Sequence, residues 1–154
     1  MAAAIATAKE LQVQAFPVDV SAIDAIQRMW SQMGLSERVR YRLSGIRDRF
    51  GGKKRISKVQ KDYSSDEAGY VEAMRRKYPT MVRVLIDERN AYMAARILEI
   101  CQTHKDVVAV MGDGHVDGII PLLGGMEIRT VRLGEIMDPV KLKDAKARFW
   151  MDEP

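Results

Sequence analysis

A single cysteine, Cys101, is all the thiol this chain has, which excludes an internal disulfide and a zinc site built from thiolates. It falls on a helical, apolar-flanked stretch with no basic cluster beside it, and so reads as a small buried hydrophobe. No apolar run approaches the roughly 20 residues that a membrane-spanning helix needs. The opening Met1-Ala2-Ala3-Ala4-Ile5 has no basic region ahead of an apolar stretch, as a secretion signal would, and the expected address is cytoplasmic. Aromatic residues are scarce too, at 6%. That bears on the one strongly charged segment, Ser36 to Asp62, where ten basic residues stand against three acidic ones, a local +7 in a chain of net charge +4. A surface that reads single-stranded nucleic acid interleaves aromatic rings for base stacking, whereas Tyr41, Phe50 and Tyr63 fall at no repeating interval. A solvated face or a lid is the better expectation, and a nucleic-acid-binding module the weaker one.

What is present is enough for one globular domain over 1–154. With 154 residues, 47% of them hydrophobic and 30% charged, the chain has material for a real core. Strong helix formers over Ala2 to Leu11 give way to a β-favouring run at Val13, Phe16 and Val18, ending at Asp19. Ser21 to Trp30 repeats Ile23, Ile26, Met29 and Trp30 at the spacing of a helix with one buried face. From about 36 to 64 apolar residues thin out and Gly51-Gly52 interrupts, which predicts short basic helices and a flexible insertion. A second run, Val107 to Met111, reads as a buried strand, and Met126 to Leu133 alternates well enough for a third. The expected fold is therefore α/β, a small and mostly parallel sheet flanked by helices.

Candidate chemistry gathers after the valine run, in Gly112-Asp113-Gly114-His115-Val116-Asp117-Gly118. If Val107 to Met111 is a sheet strand, the turn lies at its carboxyl edge, where α/β folds bind ligands. Asp113, His115 and Asp117 are each able to ligate a metal or move a proton. A purely conformational turn, with glycine for positive φ and aspartate as a helix cap, accounts for the same residues equally well. A phosphate cradle does not, because Asp117 stands where the third glycine would be.

The longest predicted helix runs from Pro79 to about His104. Its apolar faces are interrupted by Glu88 and Arg89. A charge withdrawn from water costs several kcal/mol unless it is paired, and side chains adjacent on a helix point about 100° apart. Each of the two therefore needs a partner elsewhere, in a buried ion pair or in a polar cavity shared with the Gly112 to Gly118 turn. Asp19 is open to two readings as well, since it or Ser21 suffices to cap the helix that follows.

Leu85-Ile86-Asp87-Glu88-Arg89-Asn90-Ala91-Tyr92-Met93-Ala94, followed by Val107 to Ile119, resembles the TraB/PrgY family of pheromone-shutdown-like proteins, related to the Tiki metalloproteases. The resemblance extends over about Met1 to Gly125. It implies a metal-dependent, peptidase-like hydrolase in which two Gly-x-x-His motifs, a glutamate and an arginine build a site for a divalent ion such as Mn²⁺, Co²⁺ or Zn²⁺. Gly112-Asp113-Gly114-His115 matches the second motif and Glu88-Arg89 the helix motif; the first motif is absent. The implied site is then His115, Glu88 and Arg89 as catalytic groups, with His115, Asp113 and Glu88 as metal ligands and Gly112, Gly114 and Gly118 against the substrate. Val20 departs from the arginine that similar sequences place there, which weakens a role for Asp19. The chain reads as the C-terminal half of such a domain, completed by an N-terminal half or by a second copy whose own His115 supplies the missing motif. A non-catalytic peptide-binding or regulatory domain is the alternative.

Overall fold

The computed structural model describes residues 2–49 and 67–150. Helix α1 (Ala2–Glu10) buries none of its residues and ends in a turn with Gln12 at φ 56°. In α2 (Ala22–Gln32), Ser21 accepts a bond from the Asp24 N–H at 3.5 Å, and Ala25 and Met29, four apart, face inward. Helices α3 (Leu35–Arg49) and α4 (Glu67–Lys77) follow. A long rod is then built from α5 (Pro79–Val82), a π-helical turn (Arg83–Asp87) and α6 (Glu88–Cys101). Beyond it lie α7 (Asp113–Ile119), a 3₁₀ turn (Ile120–Leu123), α8 (Leu133–Ile136) and α9 (Pro139–Trp150). Gly124 and Gly125 stop the 3₁₀ turn at φ 69° and 78°, values that glycine adopts without a Cβ penalty.

The rod carries both cores. At its start Val84 packs with Met29 and Met33 of the α2 region, with Trp30, Met81 and Leu85 around them. Further along, Met93, Ala94 and Ile97 meet Ile119 and Leu123, with Val18, Cys101 and Met111 at the margin. Each fully buried chain of the size of Met93 or Ile119 stabilises by about 1.5–3 kcal/mol.

The basic segment is put to structural use over its described part. Glu37 is only 6% exposed, and its Oε1 accepts from the Thr80 and Met81 N–H groups at 3.0 and 3.2 Å. It thereby caps α5, whose own preceding residue, Tyr78, makes no side-chain cap. Arg40 donates to the Lys77 carbonyl at 2.7 Å and closes α4, while Arg38 donates to the Trp30 carbonyl at 2.6 Å. Of the expected flexible insertion, about 36–64, residues up to Arg49 belong to α3, and residues 50–64 lie outside the described residues.

The α/β expectation is overturned: among the described residues every regular element is a helix or helical turn, and there is no strand. The three stretches read as strands, 13–18, 107–111 and 126–133, are irregular, except that Leu133 opens α8. A strand exists by pairing its backbone, and no hydrogen bond joins any two of these stretches among the described residues. The valine run is not buried either, with Val108 91% exposed. No described helix is long and apolar enough to cross a membrane.

Candidate functional site

Helix α7 opens at Gly112, extended at φ −65°, ψ 138°. The Gly112 carbonyl accepts from the His115 N–H at 3.0 Å, which fixes the imidazole on the first turn. Its Nδ1 lies 2.7 Å from Oδ1 of Asn90, a side chain of α6 that is 5% exposed. An amide oxygen only accepts, so Nδ1 donates its proton to Asn90. Gly118 makes room for this bond: a Cβ built there falls 2.1 Å from Asn90 Nδ2 and 3.1 Å from its Cγ.

One residue before Asn90, Arg89 forks onto Asp19. Its Nε and Nη2 donate to the two carboxylate oxygens at 3.1 and 2.5 Å, and its Nη1 donates to the Leu85 carbonyl at 3.2 Å. The hydrogen bond to Arg89 holds the Asp19 carboxyl below its ordinary value against the opposing effect of burial. In return the bond to Asp19 raises Arg89. Asp19, Arg89, Asn90 and His115 thus form one neighbourhood, drawn from the loop before α2, from α6 and from α7.

The other expected residues go elsewhere. Glu88 is shared between Arg28 at 2.9 Å and Arg83 at 2.6 Å. Asp113 binds Arg132 Nε at 2.9 Å and the Leu133 N–H at 3.3 Å, and Asp117 binds the same guanidinium at 2.6 Å. Burial works against the Arg132 charge, yet the hydrogen bonds it donates to Asp117 and Asp113 raise its pKa. These two acids therefore tie α7 to the start of α8. Gly114 lines a small apolar cavity of about 160 Å³ with Met74, Met81 and Leu85 among its walls.

This donor set does not fit a catalytic metal. No three His, Cys, Asp or Glu side chains among the described residues are grouped to hold one. Glu88, Asp113 and Asp19 each spend their oxygens on arginine, so among the described residues the grouping of about three protein ligands that a catalytic metal requires is not assembled.

Asn90 is the site residue that reading the sequence missed. Two α-helical turns from Val82 end at position 89, so an uninterrupted helix puts Arg89 on the buried stripe. A π turn adds one residue, which moves the stripe on to 90, and Asn90 then leads the buried series Met93, Ala94, Ile97 and Ile100. Counting back three from Met93 instead of four finds it.

The class of protein defined so far is a helical domain presenting one oriented imidazole beside an ion-paired aspartate. The TraB/PrgY/gumN family model matches residues 1–127, and the chain belongs to that family. An uncharacterized protein of Methanocaldococcus jannaschii is 34% identical over 77 residues, 50% of this chain. That match spans 19% of the archaeal protein's length. No solved structure matches the chain.

Proposed function

We propose that the chain contributes the histidine-bearing part of a hydrolytic site for a peptide-like substrate. His115 accepts a proton through Nε2, and the Asp19–Arg89 pair fixes the charge beside it. The Asn90–His115 bond carries the reading, because a ring whose Nδ1 is held by a buried amide oxygen is fixed in one orientation, as a positioned general base requires. Glu88 belongs to the arginine network that seats α6 on α2. The remaining groups come from a second polypeptide, an N-terminal-half equivalent or another copy. Membership of the TraB/PrgY/gumN family supports the assignment.

Two measurements test it together. Long-range ¹H–¹⁵N NMR should report His115 as the Nδ1–H tautomer, and Asn90→Ala should shift it toward Nε2–H. Cleavage of a mixed peptide pool by the chain combined with the polypeptide that completes the site, followed by mass spectrometry, should fall at least about 10²-fold in His115→Ala. An Nε2–H tautomer in the wild type would refute the base assignment. Equal cleavage by wild type and His115→Ala would refute the hydrolytic role. The second reading, a non-catalytic peptide-binding domain, is favoured by the engagement of Asp19, Glu88 and Asp113 with arginines, and predicts retention of peptides from the pool without cleavage.

A further inference from the structure

Outside this site lies a groove of about 680 Å³ lined by Val107, Val108, Ala109 and Met111 and by the 126–131 stretch, with Ile97, Ile119 and Leu123 of the core contributing to it. It is open, with Val108 91% exposed, and Lys105, Asp106, Glu127 and Arg129 line it beside the apolar residues. The backbone groups of Met126, Ile128 and Thr130 make no hydrogen bond among the described residues. A β-rich stretch with unmatched donors and acceptors is a template for pairing with another chain.

The side-chain order of Met126-Glu127-Ile128-Arg129-Thr130-Val131 says which chain. Glu127 and Arg129, two apart, share a face and approach to 3.4 Å, as extended backbone requires, while Met126, Ile128 and Thr130 alternate with them. Laid antiparallel on an identical copy about a two-fold axis at Ile128, the stretch places Glu127 opposite the partner's Arg129 and Arg129 opposite the partner's Glu127. Met126 then faces the partner's Thr130, and Ile128 faces its own equivalent. The hydrogen-bonded positions are 126, 128 and 130, whose backbone groups are available; the charged pair takes the positions where opposed side chains come closest. Glu127 is 84% exposed, so it is open to such a partner.

We infer that this groove is a self-association surface, occupied by a second copy of the chain through antiparallel pairing of its 126–131 stretch. The inference is independent of any role for His115.

The register gives a charge-swap test by sedimentation equilibrium over a dilution series, with circular dichroism as the folding control. Wild type should dimerise. Glu127→Arg alone and Arg129→Glu alone each set like charges opposite one another twice per dimer, and each should weaken self-association at least about tenfold. Mixed together, the two variants restore both opposite-charge pairs and should form a heterodimer of wild-type affinity. A wild type that stays monomeric at its highest soluble concentration would overturn the inference. So would a dimer indifferent to both substitutions, or two folded variants that fail to associate on mixing.

Discussion

Asp19 shows how one side chain connects stability to acidity. Its carboxyl is held below the ordinary value chiefly by the hydrogen bond from Arg89, so the folded chain binds that proton less readily than the unfolded chain does. The sign follows: the contribution is fully present above the unfolded value, near pH 4, and is lost as pH falls through the lowered folded value. Asp19→Asn should flatten this part of the curve when denaturation midpoints of the two proteins are compared between about pH 5 and pH 2. The Asp19 and Arg89 side chains are 35% and 23% exposed, so solvent screens the pair and the difference will be modest. Parallel curves for the two proteins would mean that the Asp19–Arg89 fork contributes nothing to folding.

At the scale of elements, the crossing of α6 and α7 depends on Gly118. Alanine is ordinarily the better helix former, by about 1 kcal/mol. Here the added methyl group falls 2.1 Å from the Asn90 amide, and the buried side chain can yield only by giving up its bond to His115. Gly118→Ala should therefore destabilise by about 1–3 kcal/mol despite its propensity, and Asn90→Ala should cost a similar amount by orphaning the Nδ1 proton. Once Asn90 is truncated the clash is gone, so the double variant should be more stable than the sum of the two losses implies. A double-mutant cycle by urea denaturation measures this, and strict additivity would show that the two residues do not meet.

Much at this scale was legible from residue patterns. Ser21 ahead of an apolar stripe, Pro79 opening the rod, and Gly124-Gly125 closing the turn are local signals with local causes. So was the inference that Glu88 and Arg89 have separate partners, met by Arg28 and Arg83 for one and Asp19 for the other. Two features were hidden for physical reasons. The π turn adds one residue without a local signature, and so moved the buried polar position from Arg89 to Asn90. The strands failed because β-propensity expresses fitness for a pleated, half-buried surface, and 107–111 and 126–131 find no such surface within the described residues. Their sequences record a preference for pairing that the fold leaves unmet.

For the whole molecule, the question is whether the chain alone assembles a metal centre of the kind that its resemblance to the Tiki-related proteins implies. Among the described residues, Arg28, Arg83, Arg89 and Arg132 hold the carboxylates of Glu88, Asp19 and Asp113, so His115 is not joined by a set of carboxylate ligands. Linkage sets the scale of the expected answer. A weak single-histidine site whose Kd is about equal to the added metal stabilises by RT ln 2, roughly 0.4 kcal/mol, which moves the midpoint of a domain of this size by about 1–2 °C. An assembled three-ligand site with a thousandfold lower Kd would stabilise by about 4 kcal/mol, a shift on the order of 10 °C. Thermal unfolding of wild type and His115→Ala, chelated and then titrated with Mn²⁺, Co²⁺ or Zn²⁺, should give the small shift in the first and none in the second. A large shift that His115→Ala abolishes would mean that the arginine pairs open to release their carboxylates. The chain would then carry a complete metal site by itself, and the need for a second polypeptide would fall away.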